Sequence, residues 1–358
     1  MEGQEWTLGS RKRIFWVILL ALLLEGLFAV QPATSAPPPP KTYRVADIYP
    51  STHPIYLGSI KWWIEEMDAR TKGLFKAQWF GNATLAAGPD IAKSVIDGTV
   101  HIGNCLYASP MVPLQDVVAL PKAFEDSQLV AASQAFAKMV KSGLINDRYE
   151  KLGIKVLFGY TTTNYQIFST KKPVLTLHDL KGLKIRTAGT TLPKTVASLG
   201  GVPVNMAMGE ATDALQKGVV DGIALGVPSL KPYPFYDLIK FANIGFSLGG
   251  FPIIYGMNKA AWEALPADIR SIMDQVNEAA PVHAAEYYLG VVKRDLQEFQ
   301  NRKMRVDTLP AADITQVAAQ VAPIWREWAD SLEAKGIGGK RIVEDFKNAL
   351  RQNGVAIQ

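Results

Sequence analysis

Arg186 is the residue of this sequence whose type and setting most directly suggest ligand chemistry. It belongs to the segment DLKGLKIRTAGTT, residues 179–191, in which Leu183 and Ile185 alternate with charged residues at the period of a half-buried strand. A Gly/Thr turn follows, and strand ends that open onto such turns are where α/β proteins place ligand contacts. A guanidinium in this position is either ordinary surface charge or a bidentate partner for the carboxylate of a ligand. This segment alone leaves both interpretations open.

Other residues that commonly perform chemistry do not form a recognisable catalytic or metal-binding pattern. The four histidines, His53, His101, His178 and His283, are not at zinc-binding spacing. The single cysteine, Cys105, allows no internal disulfide and has no CxxC partner, so we interpret it as a small buried hydrophobic residue. No GxSxG elbow, Walker A loop or GxGxxG fingerprint occurs. We expect no catalytic residue, metal or cofactor, and an enzyme with an unrecognised nucleophile or carboxylate pair stays open as an alternative.

Composition is that of a soluble globular protein with an ample core. Of the 358 residues, 48% are hydrophobic and 20% are charged, and length suggests about two domains. The formal net charge of +5 is spread along the chain, without a basic helix, zinc-finger spacing or interleaved arginines and aromatics. The sequence therefore predicts no nucleic-acid partner.

The N-terminal segment has the three parts of a secretory signal peptide. Arg11, Lys12 and Arg13 precede an apolar run from Ile14 to Leu24, and small residues follow. Eleven apolar residues are too few for a membrane span, which needs about 20, although an uncleaved anchor is the alternative. We predict a signal peptide over residues 1–36, a stiff Pro-rich linker over 37–41, and export to the periplasm.

The elements that must position Arg186 alternate between strands and helices, which favours an α/β architecture with a largely parallel sheet. The segments SVIDGTVHIG (94–103) and ALQKGVVDGI (214–223) align without gaps at an offset of 120 residues. Each indicates a helix, a glycine stop and a strand, so either two lobes are built alike or the similarity is coincidental. Residues 266–303 predict a helix longer than one lobe, which Pro281 should kink or divide.

Four ordered motifs resemble those of a known family. They are FGNATLAAGPDIAKSVIDGTVHIG, LTLHDLKGLKIRT, GVPVNMAMGEATDALQKGVVDGI and MNKAAWEALPADIRSIM. From about Tyr43 onward, the chain resembles the DctP-type solute-binding proteins of TRAP (tripartite ATP-independent periplasmic) transporters. The resemblance implies a two-lobed periplasmic-binding-protein fold with a long lobe-spanning helix. It places lobe I at 42–162 and 251–290, and lobe II at 163–250 and 291–358.

The resemblance also implies which residues bind the ligand. The family's arginine on the K-I-R strand holds the ligand carboxylate, and Arg186 matches it. Gln166 stands where many members have a second arginine, Leu225 replaces an asparagine, and Met208 replaces an aromatic residue. The site therefore keeps one strong cation and loses polar partners. Three further aromatic residues either line this site or belong to the core: Tyr107, Tyr160 and Phe251.

The function implied is a periplasmic binding subunit that captures an organic acid by its carboxylate and delivers it to the membrane subunits of a TRAP transporter. The three departures from the family pattern favour a monocarboxylate with an apolar or aromatic body. We expect a monomer. The alternatives are a dicarboxylate-binding subunit, a binding subunit of a signalling receptor, and an exported enzyme that acts on a carboxylated metabolite.

Overall fold

The structure is a computed structural model that describes residues 42–356. The predicted signal peptide and Pro-rich linker lie outside the described residues. Within that range no helix combines the length and the apolar character needed to cross a membrane.

Eleven strands and ten α-helices make up the described part of the chain. The strands are β1 Thr42–Ala46, β2 Lys76–Phe80, β3 Ile102–Asn104, β4 Ile154–Thr161, β5 Gln166–Ser169, β6 Lys184–Thr187, β7 Val202–Asn205, β8 Gly222–Leu225, β9 Phe241–Ile244, β10 Pro252–Asn258 and β11 Arg305–Thr308. The α-helices are α1 Lys61–Arg70, α2 Ile91–Ile96, α3 Leu129–Lys141, α4 Leu144–Lys151, α5 Leu192–Ser198, α6 Ala211–Gln216, α7 Lys259–Glu263, α8 Ala267–Asn301, α9 Ala311–Glu333 and α10 Gly339–Gln352.

The strands form two mixed sheets, which define two lobes. The first sheet has the order β2-β1-β3-β10-β4, and the second has the order β11-β9-β5-β8-β6-β7. In each sheet three neighbouring strands run parallel, and the next strand, β10 or β5, is antiparallel to both strands beside it. The second sheet ends in a further parallel pair, β9 and β11. The predicted α/β class is confirmed, but the sheets are less parallel than expected because β10 and β5 enter their sheets from the other lobe rather than through a helical crossover.

The repeat seen in the sequence corresponds to the same local structure in both lobes. Helices α2 and α6, which begin 120 residues apart, each end before a glycine with a left-handed backbone, Gly98 and Gly218. Strands β3 and β8 follow. Each is parallel to one neighbour, β1 or β6, and antiparallel to the other, β10 or β5. The two lobes are therefore built on the same strand arrangement, as the first of the two sequence interpretations proposed.

The chain passes between the sheets through two adjacent segments, residues 162–165 and 245–251. These segments are hydrogen-bonded to each other, since Thr162 N donates to Phe251 O at 3.1 Å and Tyr165 N donates to Gly249 O at 2.9 Å. The side-chain hydroxyl of Thr162 also accepts from Phe251 N at 3.0 Å. The two connections thus form one paired strap between the lobes.

Helix α8 runs unbroken from Ala267 to Asn301 with Pro281 inside it. Of the two expectations for this proline, division of the helix is wrong, because the buried ring and the elements packed against the helix hold it together, while a kink stays a prediction. A π-helical turn, Tyr56–Ile60, packs against this helix. There Gly58 allows close approach, because a Cβ at this position would lie 2.4 Å from the ring of Tyr287.

The C-terminal helices contact both lobes. Helix α9 packs against α5, while Nε1 of Trp325 on α9 donates to Pro121 O at 2.9 Å. The last helix, α10, packs on α3 beside the first sheet, although the sequence-based bounds group it with the second lobe. Those bounds stay a prediction.

Candidate functional site

Arg186 lies on β6, next to the edge strand of the second sheet, between Val204 of β7 and Ile223 of β8. Its side chain is among the largest fully buried ones, with 1% of the residue exposed. Its Nε and Nη2 donate to Met206 O at 3.1 and 2.8 Å. No carboxylate of residues 42–356 forms an ion pair with this guanidinium. A buried charge without a counter-ion is strongly unfavourable, so an anion from outside the chain would stabilise this guanidinium.

Three tyrosines stand in the electric field of this cation. Burial raises the pKa of the Tyr107 hydroxyl, and the neighbouring Arg186 charge opposes that rise. Burial likewise raises the pKa values of Tyr165 and Tyr233, and Arg186 again acts against it. All three phenols therefore stay protonated, so that they can donate a hydrogen bond at any physiological pH. Neutral hydrogen-bond donors and aromatic rings therefore surround the guanidinium of Arg186.

Arg186 and these tyrosines belong to one narrow cavity between the lobes, whose space together with the open solvent at its mouth is about 400 Å³. Its residues come from both sheets, mostly from loops that follow the carboxyl ends of β1, β3, β6 and β8, where α/β proteins place ligands. The lining residues are Ile48, Tyr49, His53, Ile55, Leu106, Tyr107, Thr162, Tyr165, Arg186, Ala188, Met208, Leu225, Ser229, Tyr233 and Phe251.

Five of the seven residues named from the sequence lie at this cavity: Arg186, Met208, Leu225, Tyr107 and Phe251. Phe251 anchors an aromatic wall. Its ring stacks on Tyr165 at a centroid distance of 6.0 Å, and the Tyr107 ring meets it edge-on at the same distance.

The other two residues named from the sequence, Gln166 and Tyr160, are not among the lining residues. Gln166 pairs with Leu225 across β5 and β8. Its Oε1 accepts hydrogen bonds from Gly245 N at 3.0 Å and Phe246 N at 3.1 Å, which ties it to the interlobe strap. Tyr160 is 1% exposed and stands on β4 in the first sheet.

Four aromatic residues of the cavity were not identified from the sequence: Tyr49, His53, Tyr165 and Tyr233. Tyr49 and His53 follow β1, in the same relation to the first sheet as Ala188 has to β6 in the second. A search for polar aromatic residues just after each predicted strand would have found Tyr49. Tyr165 lies in the strap, and Tyr233 follows a short 3₁₀ turn after β8.

His53 has an unusual environment within this cavity. The residue is completely buried, and burial lowers the pKa of its imidazole to about 3. Its ring stacks on Tyr49, with centroids 4.2 Å apart, and lies edge-on to Tyr233 at 5.7 Å. Among residues 42–356 its Nε2 has no hydrogen-bond partner. The cavity therefore holds a neutral imidazole with one unused polar atom.

A larger groove of about 950 Å³ lies elsewhere, between α3, β4 and α8. Its charged residues include Lys141 and Glu278, which approach each other to 3.7 Å across the groove. Both side chains are well exposed, so water already satisfies their charges. The smaller cavity differs from this groove because its cation, Arg186, is buried and has no ion-pair partner among the described residues.

The described residues contain no group of three or more histidines, cysteines, aspartates or glutamates placed to hold a metal ion. Cys105 is buried away from the cavity lining, and burial raises the pKa of its thiol to about 12, which agrees with its interpretation as a small hydrophobic residue.

Residues 45–331 match the family of bacterial extracellular solute-binding proteins, family 7, called DctP. Among characterised relatives, a solute-binding protein of Chromohalobacter salexigens is 24% identical, over 89% of this chain and 93% of that protein. The C4-dicarboxylate-binding periplasmic protein DctP of Rhodobacter capsulatus is 28% identical, over 72% of this chain and 75% of that protein.

Solved structures share the fold. A TRAP solute-binding protein from Rhodoferax ferrireducens, in complex with copurified benzoate, has a TM-score of 0.81 at 21% identity, covering 88% of this chain and 98% of that one. A marine metagenome TRAP solute-binding protein specific for aromatic acid ligands, with 3-hydroxybenzoate, has a TM-score of 0.80 at 22% identity, covering 88% and 99%. A C. salexigens protein with bound D-glucuronate has a TM-score of 0.73 at 21% identity, covering 86% and 99%.

Proposed function

Because the chain belongs to the DctP family, the solute-binding proteins of TRAP transporters, we propose that its interlobe cavity captures an organic acid by pairing the acid's carboxylate with Arg186. The family consists of ligand-binding subunits and is not a class of enzymes. The observation that carries the proposal is the complete burial of Arg186 without an anionic partner in the described chain. A ligand carboxylate would supply that partner, and the planar guanidinium would bind both of its oxygens.

The ligand class that fits best is a monocarboxylate with an apolar or aromatic body. Arg186 is the only positively charged side chain among the described residues that line the cavity, since His53 stays neutral. A second carboxylate would need a second cation or several donors, because an unpaired buried charge is very unfavourable. Leu225, Met208 and Phe251 offer apolar contacts instead, and methionine makes favourable contacts with aromatic rings.

The solved proteins of the same fold that bind benzoate and 3-hydroxybenzoate support an aromatic acid, while the D-glucuronate complex keeps a sugar acid as the competing class. Leu225 argues against the sugar acid because its side chain cannot satisfy a sugar hydroxyl. A C4 dicarboxylate, as in the R. capsulatus relative, would leave one carboxylate without a cation.

The physiological role we propose is delivery of this acid to membrane subunits of a TRAP transporter after export to the periplasm. Family membership supports the role, and the signal-like N-terminal segment supports the export. Binding to a vesicle-embedded membrane subunit encoded beside this gene would distinguish a transporter subunit from a receptor subunit.

Titration calorimetry on the chain from residue 37 tests the ligand assignment. The probes are benzoate, phenylacetate, succinate and D-glucuronate. Arg186→Ala should weaken binding of the aromatic acids at least about a hundredfold, because about 3 kcal/mol of charge-assisted bonding is lost. Arg186→Lys should weaken it by about tenfold or more, although the charge is kept, because an ammonium cannot form the bidentate pair.

The matched control is Lys184→Ala, which removes an exposed cation from the same strand and should leave affinity unchanged. The ligand-free Arg186→Ala protein should melt no lower than the wild type, since removing an uncompensated buried charge offsets the lost bonds to Met206. Tight succinate or D-glucuronate binding without aromatic-acid binding would reject the monocarboxylate class. Unchanged affinity in Arg186→Ala would reject the carboxylate anchor.

A further inference from the structure

His53 lines the cavity and has a hydrogen-bond donor without an acceptor among residues 42–356. Ile55 N donates to Nδ1 of His53 at 3.1 Å, so Nδ1 is the acceptor nitrogen. A neutral imidazole whose Nδ1 accepts must carry its proton on Nε2. The lowered pKa of this buried ring means that it stays neutral over the whole physiological range. Nε2 is therefore an N–H donor, and among residues 42–356 nothing accepts from it.

A buried donor without an acceptor is unfavourable, and native proteins leave few of them. The aromatic residues beside this ring do not supply the missing acceptor. Tyr49 and Tyr233 present their rings to it in stacked and edge-on contacts rather than hydrogen bonds. Both of these tyrosines also line the cavity. Because His53 lines this cavity too, a molecule held there would lie next to the imidazole ring.

His53 and Arg186 serve different parts of that cavity. The Arg186 charge acts on the hydroxyls of Tyr107, Tyr165 and Tyr233. His53 lies beside Tyr49 and Tyr233, with ring centroids 4.2 and 5.7 Å away. The two residues also come from different lobes, His53 from the loop after β1 and Arg186 from β6. A ligand whose carboxylate pairs with Arg186 would reach His53 with its opposite end.

We propose that His53 is a specificity-determining residue, whose Nε2–H binds an oxygen on the body of the ligand away from its carboxylate. This inference rests on the proposed function and narrows it. The ligand is an aromatic or apolar monocarboxylate that bears a hydroxyl, ether or carbonyl oxygen, rather than a plain hydrocarbon acid. A site that hydrogen-bonds such an oxygen discriminates against the analogue without it, because the buried donor is then left unpaired.

Two substitutions separate the donor from the rest of the side chain. In His53→Asn, Oδ1 takes the place of Nδ1 as acceptor for Ile55 N, but no donor reaches the position of Nε2. In His53→Gln, the amide nitrogen does reach that position, while the local acceptor is lost. The first variant keeps the turn and removes the donor, and the second keeps the donor.

The experiment compares benzoate with 3-hydroxybenzoate and 4-hydroxybenzoate by calorimetry in the chain from residue 37. In the wild type, at least one hydroxylated acid should bind about tenfold tighter than benzoate. In His53→Asn this preference should fall below about twofold, whatever the affinity for benzoate itself. His53→Gln should retain most of the preference. In the wild type, the NMR signal of the Nε2 proton should shift with the hydroxylated acid more than with benzoate, and this readout needs no variant.

Three results would overturn the inference. One is a preference that survives in His53→Asn, and another is a wild type that binds all three acids equally. The third is an Nε2 proton signal that responds equally to benzoate and the hydroxylated acids, as expected if a resident water occupies the donor. If the acids bind through Arg186 but show no preference, only this inference fails. If no acid binds, or Arg186→Ala binds as well as the wild type, the proposed function fails and this inference fails with it.

Discussion

The carboxylate of Asp116 accepts a hydrogen bond from the hydroxyl of Thr190 at 2.7 Å, and this bond joins the two lobes. Asp116 lies in a 3₁₀ helix, Pro113–Ala119, between β3 and β4, whereas Thr190 lies in the turn after β6. Ser109 donates to the other carboxylate oxygen at 2.6 Å. Asp116 is buried, which raises the pKa of its carboxyl, so both donors are needed to hold it there. Because its two partners lie on different lobes, this contact would break if the lobes moved apart.

Thr190→Val should therefore shift the ligand-free protein toward an open cleft. The hydroxyl bond to a carboxylate contributes about 1.5–3 kcal/mol, and its loss leaves one oxygen of Asp116 unpaired unless the lobes part and admit water. We expect a larger radius of gyration in small-angle scattering without ligand, and affinity for the acid about tenfold weaker. The matched control is Thr191→Val, because the Thr191 hydroxyl is buried without a partner in the described structure. Identical scattering curves for Thr190→Val and the wild type would show that the bond does not govern closure.

Stability should fall as the pH drops from 6.5 toward 5, because of His53. Its pKa in the folded state is about 3, while an unfolded histidine titrates near 6.5. Below pH 6.5 the unfolded chain gains a proton that the folded chain does not, so protonation favours unfolding. At pH 5 the loss amounts to about 2 kcal/mol relative to pH 7. Urea unfolding across this range measures it.

Buried carboxyls complicate that profile and require a subtraction. Asp47, Asp116 and Asp295 have raised pKa values, about 6 for Asp295, so their contributions have the opposite sign below their folded pKa values. Subtracting the profile of His53→Asn from that of the wild type isolates the imidazole. The exposed His178→Asn control should leave the profile unchanged. A difference profile that is flat between pH 7 and 5 would contradict the assignment.

Gly58→Ala should destabilise the protein by about 1–3 kcal/mol, because the new methyl group would meet the ring of Tyr287 and force the π-turn away from α8. The matched control is Gly290→Ala in the same long helix, where a Cβ meets nothing within 4 Å. Alanine is the better helix former there and should add up to about 1 kcal/mol. Thermal unfolding measures both variants, and equal melting temperatures would disprove the steric explanation.

Most of the strands and helices could be predicted from the local periodicity of the sequence. The alternating segments around Val45, Ile102 and Ile185 became strands, and the long helical tail became α8 to α10, because these patterns depend on neighbouring residues. Mixed strand direction was not predictable in this way, since β10 joins the first sheet after the chain has built most of the second. The division expected at Pro281 does not occur, because tertiary packing around the buried ring outweighs the local effect of proline.

The residues of the candidate site also differ in whether local sequence patterns could identify them. Arg186 could be identified because a strand motif marks it, whereas His53, Tyr165 and Tyr233 come from loops and strap segments without periodicity. Their roles depend on neighbours far away in the chain: His53 contacts Tyr233 across 180 residues of sequence. The unused nitrogen of His53 becomes visible only when every nearby acceptor has a position in space.

The two sheets have equivalent strand arrangements, but they place side chains of different charge at equivalent positions of the cleft. In the first sheet Ala46 pairs with Gly103. In the second sheet Arg186 pairs with Ile223, which lies 120 residues after Gly103 in the sequence. The same architectural position is thus neutral on one wall and cationic on the other. An anion that enters the cavity meets its cation on the second lobe, so we expect capture to be ordered: the carboxylate docks there first, at a rate that falls with ionic strength. We expect the first lobe to close afterwards over the exposed face of a molecule that is already held by one end.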